Sequence, residues 1–95
     1  MRTRKYTEIE KYLSRNIPNK GIERKHDFEL SAQVFNIHIE DHSLFLEVTE
    51  RFVDDNDLFE IIRRFMKWRL PELLATNSDS TVLVNNDGVN ILRRH

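Results

Sequence analysis

The residues best suited to chemistry in this chain are the carboxylates in the middle of the sequence. Asp54, Asp55 and Asp57 stand close before Glu60, and such oxygen donors could hold a divalent cation for phosphoryl chemistry. Their spacing does not match the twelve-residue calcium loop, which needs a central glycine and a distant glutamate. Because aspartate and asparagine are favoured at helix N-termini, we expect residues 54–57 to open a helix and to hold no metal.

The histidines are the second place where a metal could bind: His26, His38, His42 and His95. His38 and His42 flank a predicted turn with Asp41 between them, and a mononuclear site could be drawn there. The geometry of an antiparallel hairpin does not by itself bring these three side chains together. We therefore interpret the histidines as partly exposed polar residues and expect no metal site.

Nucleophilic and nucleotide chemistry find little support in the sequence. The chain has no cysteine, which excludes a thiol nucleophile and every cysteine-based zinc or iron–sulfur site. It contains no Gly-x-Ser-x-Gly motif. Gly21 and Gly88 are the only glycines, too few for a glycine-rich loop around a phosphate. We expect a protein that is not an enzyme and that needs no cofactor.

A basic segment follows the carboxylates and includes two aromatic residues. Arg63, Arg64 and Lys67 accompany Phe65 and Trp68, a combination that could bind nucleic acid or another protein. Phe65 belongs to the apolar stripe of the predicted helix, so we assign it to the core. Trp68 falls at the edge of that stripe, where partial burial and a role as a protein–protein anchor are both open.

Charge is balanced over the whole chain but not along it. Residues 1–25 carry a net charge of +5, residues 26–60 carry −9 and residues 61–95 carry +3, which sum to −1. An acidic block between two basic ones favours complementary protein surfaces, including those of identical subunits. Solvated faces are the alternative, because charge blocks in the sequence do not fix patches in space.

The length and composition indicate one globular domain. The chain has 95 residues, of which 39% are hydrophobic and 33% charged, a balance unlike that of disordered sequences. No run approaches the 18 or so apolar residues of a membrane span, and residues 1–5 lack an apolar signal core. We expect a soluble, cytoplasmic protein whose residues 1–95 form a single domain.

The first element is predicted to be a short helix. Thr7 and Glu10 have the spacing of a capping box, and Pro18 would end the helix. Apolar residues recur at helical intervals on one side of it: Tyr6, Ile9, Leu13 and Ile17.

A two-residue period then predicts strands. Apolar and polar residues alternate from Phe28 to Val34, and the alternation slips by one residue at Phe35. A bulge, or a break into two strands, would account for the slip. A turn at residues 40–43 and a second alternating run from Leu44 complete a hairpin.

The remaining residues predict a helix followed by a second hairpin. After residues 54–57 an apolar stripe runs from Leu58 to Met66. Pro71 would break this helix, and a short turn could restart there. Asp87-Gly88 between two apolar runs is typical of a tight hairpin turn. The predicted fold is α+β in α-ββ-α-ββ order, with two helices packed on a mainly antiparallel sheet of about four to five strands.

An ordered series of short motifs in the second half resembles a known family. The series begins with a strand at 44–50 (LFLEVTE) and an acidic loop at 54–57 (DDND), after which a helix starts at Leu58. A proline motif at 71–74 (PELL) and a second strand at 82–87 (VLVNND), just before Val89, complete it. The series is similar to the tail completion protein R family of P2-like bacteriophages, and the resemblance covers about residues 44–91.

The resemblance implies a structural protein of a phage or prophage. Proteins of this family complete or cap the tail so that it can join the head, which implies phage tail proteins as partners. It also implies a homo-oligomer such as a ring, which forms when each subunit carries two complementary faces. The protein would occupy the host cytoplasm during assembly and then the virion, with neither a membrane nor nucleic acid as an expected partner. The candidate contact residues are Arg63, Arg64, Lys67 and Trp68 on one side, and Asp54, Asp55 and Asp57 on the other.

Three alternatives remain open at this point. A small inhibitor or regulator could dock on a host protein and use the acidic block as a decoy. A weak nucleic-acid-binding module could use the basic helix, and its affinity would then fall steeply with salt. A metal-dependent hydrolase would need the carboxylates to hold an ion.

Overall fold

The computed structural model describes residues 2–93 and contains four helices and five strands within them. Along the chain these are α1 (Arg2–Asn16), β1 (Gly21–Asp27), β2 (Ala32–His38), β3 (Ser43–Thr49), α2 (Glu50–Asp55), α3 (Leu58–Lys67), α4 (Leu70–Thr76), β4 (Ser80–Asn85) and β5 (Gly88–Arg93). No helix within this range is long and apolar enough to cross a lipid bilayer.

The strands form one sheet in the order β1-β2-β3-β4-β5. The pairs β1–β2, β2–β3 and β4–β5 are antiparallel, whereas β3 and β4 run parallel. Parallel neighbours need a crossover connection, and α2, α3 and α4 supply it. The sheet is therefore a three-stranded meander and a hairpin, joined at its centre by one parallel ladder.

All four helices contribute to a single core on one face of the sheet. The sheet residues of this core share one side of the register: Phe35, Ile37, Leu44, Leu46, Val48, Val82 and Val84. The buried helix residues that cover them are Tyr6, Ile9, Leu13, Phe52, Val53, Ile61, Phe65, Leu70 and Leu74. Each fully buried side chain of this size contributes about 1.5–3 kcal/mol, so this layer supplies most of the driving force for folding.

The opposite side of the sheet is here called the helix-free face. It carries Val34, Asn36, Phe45, Glu47, Leu83, Asn90 and Leu92, which alternate in register with the core residues. Side chains along a strand point to opposite faces, so these residues face away from the helix layer.

The apolar stripe predicted for α1 is confirmed, but the predicted capping box is wrong. The buried residues of the helix include Tyr6, Ile9 and Leu13. The helix already begins at Arg2, so Thr7 lies inside it, and its hydroxyl donates a hydrogen bond to the Thr3 carbonyl at 3.0 Å. A side chain engaged in this way does not cap a helix N-terminus.

The expected strand from Phe28 is also wrong at its beginning. Residues 28–31 form the turn between β1 and β2, and Ser31 has a left-handed φ of 49°. The Asp27 carboxylate accepts hydrogen bonds from the backbone N–H groups of Glu29 and Leu30, an arrangement that stabilises turns. From Ala32 onward β2 pairs residue by residue with both neighbours, so there is no bulge. The slip at Phe35 arises because Ala32 and Val34 lie on one face of the strand, whereas Phe35 and Ile37 lie on the other.

The helix expected to open at residues 54–57 is present as α3, but a further helix, α2, precedes it and was not predicted. The hydroxyl of Thr49 accepts a hydrogen bond from Phe52 N–H and caps α2, which ends at Asp55. Asp57 then caps α3 through Glu60 N–H at 2.8 Å. After α3 the chain restarts as α4 with a proline in its first turn, which confirms the predicted restart.

The α+β class is confirmed, and the five strands fall within the expected number. Within residues 2–93 there are four helices instead of the predicted two, and the order of elements is α-βββ-ααα-ββ. The predicted second hairpin is present as β4 and β5, where Gly88 takes a φ of +121° that L side chains rarely adopt.

Candidate functional site

The predicted contact residues other than Asp57 line two grooves on either side of the β4–β5 turn. One groove of about 680 Å³, here called the acidic groove, is lined by Glu50, Asp54, Asp55 and Asp87 together with Arg2 and Arg51. A second groove of about 330 Å³, here called the basic groove, is lined by Arg63, Arg64, Lys67, Trp68 and Gly88. The turn residues Asn86 and Asp87 line both grooves, so the turn forms the ridge between surfaces of opposite charge.

Part of the negative charge in the acidic groove is neutralised by α1. The Arg2 guanidinium donates to both carboxylate oxygens of Asp54, with Nε–Oδ1 at 3.0 Å and Nη2–Oδ2 at 2.5 Å. It also lies 3.5 Å from Glu50 Oε1. The hydrogen bond from Arg2 holds the pKa of Asp54 below its usual value, so this carboxylate is ionised throughout the neutral range.

The wall between the grooves is fixed by a side-chain hydrogen bond. Asn86 Nδ2 donates to Asp55 Oδ2 at 2.8 Å and ties the β4–β5 turn to the end of α2. The backbone N–H of Asp87 donates to Asn85 Oδ1 at 2.9 Å within the turn. The turn is therefore held in one position before any partner arrives.

Asp57 does not share the acidic groove with the other two predicted aspartates. The residues that line the groove include Asp54 and Asp55 but not Asp57. The Asp57 carboxylate caps α3 instead. Of the three acidic candidates, two lie in the groove and one has a structural contact.

The basic groove carries less free charge than its sequence indicates. Glu60 accepts hydrogen bonds from Arg63 (Nε 3.0 Å and Nη2 2.8 Å) and from Arg64 Nε at 2.8 Å. These bonds, from Arg63 first and then Arg64, lower the pKa of Glu60 to about 2. Lys67 is exposed beside them, so it is the strongest candidate in this groove for binding a carboxylate of a partner.

Trp68 is half-buried at the end of α3, as the position of this residue at the stripe edge predicts. Its ring centroid lies 6.3 Å from that of Phe52 and 6.4 Å from that of Phe65. The same residue lines the basic groove. A tryptophan that is held by the core on one side and reaches a groove on the other suits a protein–protein anchor.

The histidines around the turn between β2 and β3 have separate partners. His38 Nε2 lies 2.7 Å from Glu23 Oε1 on β1, and His42 Nδ1 lies 2.7 Å from Asp41 Oδ1. Within residues 2–93 no group of three or more histidine, aspartate or glutamate side chains could hold a metal ion. His95 lies outside the described residues.

A carboxyl pair on the helix-free face, of which Glu47 is buried, was not predicted from the sequence. Glu47 of β3 is only 6% exposed and is hydrogen-bonded to Asp27, while its Oε2 has no partner among the described residues. Burial, followed by the hydrogen bond and negative charge of Asp27, raises the pKa of Glu47 to about 7. The same hydrogen bond lowers the pKa of Asp27. The pattern LFLEVT places Glu47 on the alternate, outward side of the strand, so its burial could not be predicted.

Known proteins do not assign this chain to a family. No family model, no curated protein and no solved structure matches it. Its function has to be inferred from the two grooves, the turn between them and the series of motifs in residues 44–91.

Proposed function

We propose that this protein is a structural component of a P2-like phage or prophage that completes the tail so that it can join the head, and that it acts by docking on tail proteins. The observation that carries the proposal is the pair of oppositely charged grooves on either side of one fixed turn. Complementary charge gives specificity and orientation to protein contacts. Docking through both grooves would fix how the protein sits on the end of a tail.

The motifs that resemble the tail completion family support this proposal by their positions. The run 44–50 covers most of β3, residues 71–74 lie in α4, and 82–87 runs from β4 into the turn. Asn86 and Asp87 end this last run and line both grooves. The residues behind the resemblance thus include those that shape the proposed docking surface.

The charges define the chemistry expected of the partner. Lys67 and the outer edge of Trp68 would meet an acidic and apolar patch, while Asp55 would meet a basic one. Because Asn86 already holds the turn against α2, little conformational freedom is lost on docking. The end of a tail tube presents repeated copies of one surface, and a ring of this protein would match such a repeat.

The proposal is tested by sedimentation of the purified protein with tail tubes from a P2-like phage. We expect the protein to pellet with the tubes, and Lys67→Glu to weaken binding by about tenfold, in the range of about 1–2 kcal/mol for an exposed interfacial charge. Lys11→Glu is the matched control, because Lys11 is an exposed lysine on α1. Circular dichroism would verify that both variants are folded.

Two results would overturn the proposal. If the unaltered protein stays in the supernatant at every tube concentration, a tail function is refuted. If Lys67→Glu binds like the unaltered protein and like Lys11→Glu, the basic groove is not the docking surface. Binding to a host protein instead of tail tubes would favour the inhibitor or regulator alternative.

A further inference from the structure

The two edge strands of the sheet differ in how they are protected. Edge strands expose unpaired backbone groups, and charged side chains discourage pairing with another chain. β1 is mostly charged along its length (GIERKHD). β5 (GVNILR) has one charge, at Arg93, and its Ile91 and Leu92 are 42% and 40% exposed. Only β5 therefore has the composition of a strand that is open to pairing.

We propose that β5 pairs antiparallel with β5 of a second copy, centred on Asn90, so that two five-stranded sheets become one. The proposal goes beyond the docking function and does not depend on it. The partner strand comes from an identical chain, because in this arrangement the apolar residues Val89 and Ile91 of one copy face Ile91 and Val89 of the other.

The backbone of β5 presents suitable groups for such pairing. Asn85 and Gly88 pair across the two-residue turn, and Leu83 pairs with Asn90. In an antiparallel ladder, hydrogen-bonded pairs alternate with pairs that are not hydrogen-bonded. The N–H and C=O groups of Val89 and Ile91 therefore point away from β4, where a further strand can reach them.

Symmetry then restricts the register. A two-fold axis that relates antiparallel strands stands perpendicular to the sheet, so opposed residues come from the same face. Centred on Asn90, the pairing places Val89 opposite Ile91 of the second copy. It also places Gly88 opposite Leu92 of the second copy, and each of these contacts occurs twice.

The register centred on Ile91 is less favourable. It would place the charged Arg93 opposite the apolar Val89 of the second copy. Opposite charges and apolar pairs directly across a ladder each contribute about 0.2–1 kcal/mol. The apolar pairing of Val89 with Ile91 therefore selects Asn90 as the centre. Val89 and Ile91 would then extend the apolar face of the sheet, with the helices of both copies on the same side.

Cysteine cross-linking of the full chain tests both the dimer and its register. The protein has no cysteine, so Asn90→Cys introduces a single thiol at the proposed axis. The two Cα atoms of a pair that is not hydrogen-bonded lie about 4.5 Å apart, within reach of a disulfide. Leu92→Cys is the matched control on the same face, because its two copies would lie about 13 Å apart.

We expect mild oxidation to give at least ten times more disulfide dimer with Asn90→Cys than with Leu92→Cys. Equal yields, or more dimer from Leu92→Cys, would overturn the proposed register. Analytical ultracentrifugation of the unaltered protein should show monomer and dimer in exchange. Monomer alone up to millimolar concentration, or open filaments of the kind that β5–β1 pairing would give, would overturn the dimer.

Discussion

Replacement of Glu47 by glutamine should change how the stability of the protein depends on pH. Glu47 is almost fully buried, and its pKa is raised from 4.5 to about 7 in the folded state. Folding therefore takes up a proton between these two values, and the free energy of unfolding falls as pH rises through this window. Glu47→Gln removes the titration and keeps a hydrogen-bond donor for Asp27.

The size of the effect follows from the shift. One pKa unit corresponds to about 1.4 kcal/mol. Between pH 4 and pH 8 the unaltered protein should thus lose about 3 kcal/mol relative to Glu47→Gln. Asp27 does not reverse this trend, because its pKa lies below its ordinary value of 3.8 and its contribution to stability is lost only at lower pH.

Urea unfolding at several pH values measures this difference. Trp68 is the only tryptophan and lies half-buried against Phe52, so its fluorescence reports on the core. Glu40→Gln is the control, since the Glu40 side chain is 79% exposed and should follow the unaltered protein within about 0.5 kcal/mol. If the curves for Glu47→Gln and the unaltered protein stay parallel from pH 4 to pH 8, Glu47 is ionised in the folded state and the reasoning fails.

Three further predictions concern stability and use urea midpoints as the measurement. Asp57→Ala should lose about 1 kcal/mol because the cap on Glu60 N–H disappears, whereas Asp57→Asn should lose almost nothing; equal losses would contradict the capping role. Phe65→Ala should cost about 3–5 kcal/mol, while Phe59→Ala, at a side chain that is 78% exposed, should stay within about 0.5 kcal/mol; similar costs would refute the assigned core. Gly88→Ala should cost at least about 1 kcal/mol because of its φ of +121°, and an unchanged midpoint would contradict that backbone conformation.

Elements with a strong period or a specific turn were predictable from the sequence. The stripe of α1 was visible because Tyr6, Ile9 and Leu13 recur at helical spacing. The β4–β5 hairpin was visible because Asp87-Gly88 favours a tight turn. In both cases local chemistry and burial agree.

Elements whose residues face solvent were not predictable. β1 has no apolar alternation because it is an edge strand with mainly charged side chains. Residues 28–31 alternate between apolar and polar side chains as a strand does, although they form a turn. α2 was missed for a different reason: Phe52 and Val53 are buried, but the helix is only six residues long and its Thr49 cap is the last residue of β3.

The candidate site was predictable in composition but not in arrangement. The spacing of Glu60, Arg63 and Arg64 already indicates helical ion pairs, and the structure contains both. Asp57 caps α3 whereas Asp55 lines the acidic groove, and this difference depends on where α3 begins. The burial of Glu47 depends on Asp27, which reaches it across β2, a contact between distant residues that no local pattern reports.

The parallel ladder between β3 and β4 has a consequence for the order of events during folding. The β1–β2–β3 meander and the β4–β5 hairpin each join neighbours in sequence, whereas Phe45 meets Thr81 only after the chain has passed through three helices. Closing such a long segment lowers the conformational entropy of the chain, and this loss is offset only when other contacts have formed. We expect the β1–β2–β3 meander and the β4–β5 hairpin to form early and to pair through β3 and β4 in the rate-limiting step. Packing of α2, α3 and α4 would bring these two strands together.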